Sequence, residues 1–137
     1  MVIIPTTVLS RFKRRASAAQ PKEYIELLFG VKKSGAYCVQ ESSTLPQRGS
    51  AMQVWYYHDD QDDVICEHEA RGLEYLGSIH THPEGSIERP THNDNEHCEK
   101  GEIVGIDVIA KRGKRWTHDI RWYIAQTEID SAVVPSK

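Results

Sequence analysis

Two adjacent segments in the second half of the chain constrain the fold most strongly. Residues 102–110 and 116–125 are both apolar and β-branched or aromatic, and a short polar stretch at 111–114 separates them. Such side chains favour extended backbone, so we expect two strands joined by a tight turn. The β-branched residues of the first strand are Ile103, Val104, Ile106, Val108 and Ile109.

The N-terminal region has helical periodicity. Apolar residues recur there at spacings of three and four, which predicts an amphipathic helix. Thr6 or Thr7 could cap its start and Pro21 would help to end it. An organelle transit peptide is the alternative, because residues 1–20 carry four basic side chains and no acid. We favour the first helix of the domain, whose apolar residues are Val8, Leu9, Phe12, Ala16 and Ala19.

Shorter patterns complete the predicted architecture. The region 24–29 favours a buried strand, although helix remains possible there, and 127–137 suggests a strand end followed by a tail. Helices mixed with strand pairs indicate an α/β fold with a mixed β-sheet flanked by helices. No repeat or linker is visible, so we expect one domain over 1–137 with a core of about 8–126. Further strands are predicted at 36–40, 52–57 and 73–82, and helices at 59–71, closed by Gly72, and at 91–99.

Composition narrows the possible function classes. Of 137 residues, 39% are hydrophobic and 27% charged, as in ordinary globular domains, and the net charge of −3 argues against a broad nucleic-acid surface. The basic run at 11–15 and the acidic run at 59–63 are expected to be solvated. Three cysteines without a paired spacing favour a reducing, cytoplasmic compartment. No apolar run is long enough to cross a membrane.

Two histidines stand at the end of a predicted strand. His80 and His82 are separated by Thr81 and followed by Pro83. Residues two apart in a strand point to the same face, with Cα atoms about 6–7 Å apart, so both imidazoles could reach one metal ion. Pro83 should end the strand, because it cannot donate to the sheet ladder. A pair of polar side chains without metal is the alternative interpretation.

A carboxylate follows at a plausible distance. Asp94 comes twelve residues after His82, across a loop containing glycine, serine and proline. Two histidines and one carboxylate leave a fourth tetrahedral position for water, which is the catalytic zinc pattern, and bound zinc lowers the pKa of that water towards about 7. Thr91 and Asp94 also have the spacing of a helix cap, and the two interpretations are compatible.

Together these residues resemble a known signature. His-Thr-His-Pro at 80–83, a loop, and Thr-x-x-Asp at 91–94 are similar to the His-x-His-Pro and Ser-x-x-Asp motif of the JAMM (JAB1/MPN/Mov34) metalloproteases. That family also has a glutamate ahead of a strand that follows a helix and a proline. Here Pro21 and Glu23 precede the apolar run that ends at Gly30. The resemblance covers about residues 8–126 and implies the cytidine-deaminase-like JAB/MPN fold.

The resemblance assigns roles to individual residues. It implies that His80, His82 and Asp94 hold Zn²⁺ and that Glu23 is the general base, with Glu26 as a weaker alternative at a position where the family has glycine. Thr91 replaces the serine that helps to stabilise the oxyanion, and its hydroxyl can donate the same hydrogen bond. The chain departs from the family in a loop at 84–90 one residue longer than expected and in Ile-Glu at 25–26 in place of Cys-Gly.

The resemblance also implies an activity. Members cleave peptide or isopeptide bonds after the C-terminus of ubiquitin or ubiquitin-like proteins, so we expect a compact zinc peptidase with such a protein, or its conjugates, as substrate and partner. A peptidase for small peptides or sulfur-carrier precursors, and a non-catalytic zinc-stabilised interaction module, are the alternatives. His92, His97 and Cys98 are expected to be exposed, and Cys66 with His68 is not expected to bind metal.

Overall fold

The computed structural model of the chain describes residues 1–84 and 101–136. Secondary structure within these ranges begins with a short strand and a long helix and ends with five strands after the second helix. The elements are β1 (Val2–Pro5), α1 (Thr6–Ala19), β2 (Ile25–Lys33), β3 (Ala36–Ser43), β4 (Arg48–Gly49), β5 (Val54–Trp55), α2 (His58–Glu69), β6 (Glu74–Pro83), β7 (Ile103–Arg112), β8 (Arg115–Ile124), β9 (Thr127–Ile129) and β10 (Ser131–Val134).

Eight of these strands form one mixed sheet. Its order is β10-β1-β3-β2-β6-β7-β8-β9, and β4 pairs with β5 in a separate hairpin. The pairs β1–β10, β1–β3 and β6–β7 are parallel, and the others in the sheet are antiparallel. The predicted hairpin of β7 and β8 is confirmed, with strand bounds that differ from the prediction by one or two residues. The α/β fold with a mixed sheet is therefore confirmed.

The two helices cover opposite faces of the sheet. Leu27 and Leu28 are neighbours in β2, and both are fully buried. Leu28 packs in the cluster that contains Val8 and Phe12 of α1, whereas Leu27 packs in the cluster that Val64 of α2 adjoins. Because both faces of β2 are covered, its sequence is a continuous apolar run without alternation.

Helix α1 forms where its periodicity predicts, but its start differs. Pro5 is the N-cap residue and no side chain caps the helix. The Thr6 hydroxyl instead donates to the Val134 carbonyl at 2.9 Å, and Thr7 Oγ1 lies 2.7 Å from the Ser136 hydroxyl. The predicted threonine cap is therefore wrong, because the C-terminal segment occupies both hydroxyls.

The C-terminal segment joins the two ends of the strand order. Strands β9 and β10 are separated only by Asp130, yet they lie at opposite ends of the sheet. The segment 127–134 therefore pairs with β8 through its first half and with β1 through its second half. This arrangement replaces the predicted tail, and β1 has no counterpart in the sequence prediction.

Other boundaries differ by a few residues. The strand expected at 52–57 is reduced to Val54–Trp55, and Met52 and Tyr57 beside it are exposed. The mainly polar sequence of 59–71 predicts an exposed helix, but α2 is less exposed than that, since Gln61 and His68 are buried. The helix expected at 91–99 lies outside the described residues. Neither helix of the described ranges is both long and apolar enough to span a bilayer.

Candidate metal centre

Strand β6 places two imidazoles side by side near its carboxyl end. The Nε2 atoms of His80 and His82 lie 3.0 Å apart, and both residues are buried. The alternation of the strand puts their side chains on one face, as the sequence predicts, while Thr81 points to the other face. The two ring nitrogens therefore converge on a single point.

The register of β2 against β6 brings Glu23 to this point. Ile25 is paired with His80 in antiparallel register. The ladder continues one step further, because Thr81 N donates to the Tyr24 carbonyl and Tyr24 N donates to the Thr81 hydroxyl, each at 3.0 Å. Glu23 consequently comes beside His82, with its Oε1 3.8 Å from His82 Nε2 and its side chain 10% exposed.

The β4–β5 hairpin holds Glu23 from the other side. Glu23 N donates to the Ser50 carbonyl at 2.7 Å. A Cβ atom on Gly49 would lie 2.3 Å from the Glu23 carbonyl oxygen, so only glycine allows the hairpin to approach this closely. The Gln47 side chain also bonds both the N–H and the carbonyl of Ile25, at 3.0 and 2.9 Å. Sequence reasoning missed these three residues, because no local motif marks a contact between segments more than twenty residues apart.

The neighbours of the two histidines in the sheet are apolar. In the sheet, His80 lies between Ile25 and Ile106, and His82 is paired with Val108. Charges and dipoles interact more strongly in such surroundings than in water, because the local dielectric is low. Ion–ligand and proton-transfer interactions at this point are therefore less screened than at the surface.

This donor set fits a zinc ion. Two nitrogens that each lie about 2.0–2.1 Å from one tetrahedral ion are about 3.3–3.4 Å apart, close to the separation of 3.0 Å in this structure. Imidazole is a preferred zinc ligand. The residues proposed to complete the site, Asp94 and Thr91, lie outside the described ranges. Within 1–84 and 101–136, no group of three His, Cys, Asp or Glu side chains could hold a metal ion.

Glu26 belongs to a different environment from Glu23. It is fully buried on the α1 face, where Arg15 donates to its Oε1 at 3.0 Å and the Ser42 hydroxyl donates to the same oxygen at 2.8 Å. The Tyr24 hydroxyl donates to Oε2 at 2.7 Å. Burial and, to a smaller extent, the hydrogen bond to Glu26 raise the pKa of Tyr24 to about 12, so the phenol stays a donor. These contacts place Glu26 away from the histidines, which makes it a poor candidate for the base.

Cys66 and His68 are not a metal cluster. Cys66 is exposed, whereas the buried His68 ring stacks on Phe29 with 3.9 Å between centroids. His68 Nδ1 lies 2.7 Å from the Val64 carbonyl oxygen and therefore donates to it. The remaining histidines of the sequence prediction, His92 and His97, lie outside the described residues together with Cys98.

A groove of about 670 Å³ opens beside Glu23. The end of α1 forms one wall and the β4–β5 hairpin forms the other. Two basic side chains, Lys22 and Arg48, line it together with Trp55. The exposed side chains of Met52 and Tyr57 are on the same hairpin segment. The groove therefore offers both cationic and apolar contacts beside Glu23.

The sequence profile described as prokaryotic homologs of the JAB domain matches residues 5–125. The chain belongs to this family. The JAB family includes metalloisopeptidases and is typically zinc-dependent. No curated protein matches the sequence significantly.

Solved structures share the JAB fold. Protein DSY2949 from Desulfitobacterium hafniense superimposes with a TM-score of 0.68 at 16% identity, over 99% of this chain and 94% of that one. AF2198, a JAB1/MPN domain protein from Archaeoglobus fulgidus, gives a TM-score of 0.60 at 23% identity, over 98% and 99% of the two chains. At these identities the likeness shows the fold alone, and it extends over nearly the whole chain.

Proposed function

We propose that this JAB domain is a zinc-dependent peptidase that hydrolyses a peptide or isopeptide bond after the C-terminus of a ubiquitin-like protein. The observation that carries the proposal is the convergence of three groups: His80 Nε2 and His82 Nε2 at 3.0 Å, and Glu23 Oε1 at 3.8 Å from the latter. A structural metal site needs ligands but no base, so a carboxylate beside the ligands favours catalysis.

The chain's own residues divide the work as follows. His80, His82 and Asp94 would hold the metal, which supplies Lewis-acid polarisation and an acidified water when bound. Glu23 takes the proton of the attacking water and passes it to the leaving amine. The backbone of Glu23 is held in place by its own bond to Ser50 and by the bond between the neighbouring Tyr24 and Thr81. The Thr91 hydroxyl donates to the oxygen of the tetrahedral intermediate.

The groove supports a polypeptide substrate with an extended end. It runs past Glu23 between α1 and the β4–β5 hairpin, and its volume of about 670 Å³ would take several residues of extended chain. Trp55 can pack against an apolar side chain of such a segment. Lys22 and Arg48 can pair with a carboxylate of the substrate.

Hydrolysis of a fluorogenic amide at the C-terminus of a ubiquitin-like protein tests this function. We expect chelator-treated protein to be inactive and about one equivalent of zinc to restore cleavage, because the metal and the base must both be present. A short-peptide amide with the same fluorophore serves as the control substrate. If only the short peptide is cleaved, the substrates are small peptides and not ubiquitin-like proteins. If the zinc-loaded protein cleaves neither reporter, the proposed function is overturned.

A further inference from the structure

A second group of chemically matched side chains lies on the α1 face of the sheet. The Ser17 hydroxyl is 3.0 Å from His118 Nε2, and His118 Nδ1 is 2.6 Å from Asp107 Oδ2. Asp107 is fully buried, and the His118 side chain is 9% exposed. Ser17 itself is half-buried, so the residue is partly open to solvent. None of these residues takes part in the candidate metal centre.

The sheet separates this group from the metal centre. Asp107 is paired with Thr81 in the parallel register of β6 and β7, between the pairs His80–Ile106 and His82–Val108. Because alternate residues of a strand point to opposite faces, Asp107 projects away from the two histidines of β6. His118 comes from β8, and the last turn of α1 brings Ser17 above both residues. The two sites therefore lie on opposite faces of the sheet.

The order of the hydrogen bonds gives each group a chemical role. The Asp107 carboxylate accepts from His118 Nδ1–H, which fixes the tautomer and leaves a lone pair on Nε2. That lone pair accepts the hydroxyl proton of Ser17. Serine, imidazole and a buried carboxylate in this order are the arrangement that makes a serine hydroxyl a nucleophile.

The buried carboxylate lacks a full set of hydrogen bonds. Asp107 Oδ1 has no hydrogen-bond partner within the described part of the chain. Burial raises the pKa of Asp107, which the His118 contact and the nearby Lys13 ammonium partly offset. A cationic neighbour stabilises a buried carboxylate that lacks a full set of hydrogen bonds. Transfer of the Ser17 proton to His118 creates such a cation, so Asp107 makes this transfer more favourable. Lys13 lies one helical turn before Ser17, where it can face a developing oxyanion.

We propose that Ser17, His118 and Asp107 form a second, metal-independent site that accepts acyl groups from small esters. Ser17 Oγ bonds to the ester carbonyl carbon while its proton moves to His118 Nε2. The carbon–oxygen bond to the alcohol then breaks, and the alcohol leaves with that proton. Water then gives a proton to His118 Nε2 while its oxygen bonds to the acyl carbon. The bond between that carbon and Ser17 Oγ breaks, the acid leaves, and the proton returns from His118 to Ser17 Oγ. The Lys13 ammonium stabilises the carbonyl oxygen as it becomes negative.

A fluorophosphonate probe tests the site in the full-length chain. Its phosphorus bonds to Ser17 Oγ, fluoride leaves, and the proton passes to His118, so mass spectrometry should find one adduct on the peptide that contains Ser17. We expect zinc-loaded and chelator-treated protein to be labelled at the same rate, which separates this result from the fate of the peptidase proposal. His118→Gln and Asp107→Asn should slow labelling by about 100-fold or more.

Two comparisons keep the test decisive. Ser10→Ala changes an exposed serine of the same helix and should leave labelling unchanged, whereas Ser17→Ala should abolish it. If the His118 or Asp107 variant does not fold, native wild type is compared with wild type unfolded in urea, whose serines lack the arrangement. The proposal is overturned if no adduct forms, or if the adduct forms equally fast in urea or in folded His118→Gln protein. The three residues would then have only the structural role of connecting α1 and β8 by hydrogen bonds.

Discussion

Glu23→Gln is expected to lower kcat for the ubiquitin-like amide reporter by about 10²–10⁴-fold while zinc binding stays the same. The amide keeps the size of the carboxylate and its place beside His82, but it cannot take a proton from water. Glu23 Oε1 lies 3.8 Å from His82 Nε2, so it is close enough to serve the reaction without being one of the three proposed ligands. Steady-state kinetics together with zinc content of the purified variant measure both quantities.

Glu26→Gln is the matched control for this substitution. The same change is made three residues away, in a side chain held on the opposite face of the sheet by Arg15, Tyr24 and Ser42. We expect kcat to remain within a few-fold of wild type at temperatures where the variant is folded. Loss of activity in Glu26→Gln with full activity in Glu23→Gln would exchange the roles of the two glutamates.

Gly77→Ala is expected to destabilise the fold by about 3 kcal/mol or more, the sum of backbone strain and overpacking. Gly77 has a φ of +148° in β6, and a Cβ atom there would lie 2.0 Å from the Ile103 carbonyl oxygen. The obstructing atom is backbone of the paired strand β7, which cannot turn aside as a side chain can. Since β6 also carries His80 and His82, the substitution strains the element that positions the metal centre.

Urea unfolding, with Gly35→Ala as the control, checks this prediction. Gly35 also has a positive φ, +79°, but nothing lies within 4 Å of a Cβ at that position. Its replacement should therefore cost only the conformational strain, about 1–2 kcal/mol. If Gly77→Ala loses no more stability than Gly35→Ala, the close approach of β6 and β7 in this structure is wrong.

Local patterns in the sequence predict most of the fold because they report burial directly. The period of two places His80 and His82 on one face, and the apolar run of 102–110 marks a strand that is covered on both faces. The spacing of Val8, Phe12 and Ala16 marks the buried face of α1. In each case the side chains that determine the structure lie within one element.

Contacts between distant segments are what the sequence does not predict. Strand β1 has four residues and depends on parallel pairing with β3 and with β10, which is nearly 130 residues away. The hydroxyls of Thr6 and Thr7 bond to the C-terminal segment and so cannot cap α1.

The residues that position Glu23 also make contacts between distant segments of the chain. Gly49 and Ser50 hold Glu23 from a separate hairpin, although nothing in the local sequence around Glu23 marks that contact. The motif predicts which residues would do the chemistry, whereas the residues that position them depend on the tertiary fold. The assignment of His80, His82, Asp94, Glu23 and Thr91 stays a prediction.

Zinc stoichiometry in wild type, His80→Ala and His82→Ala tests the central claim most directly. Exposed His58 at the start of α2 provides the control variant His58→Ala. After reconstitution and removal of free metal, plasma mass spectrometry should find about one zinc per chain in wild type and in His58→Ala, and less than about a tenth in the two β6 variants. Equal zinc in all four proteins, or none in wild type, would contradict the metal centre proposed for this JAB domain.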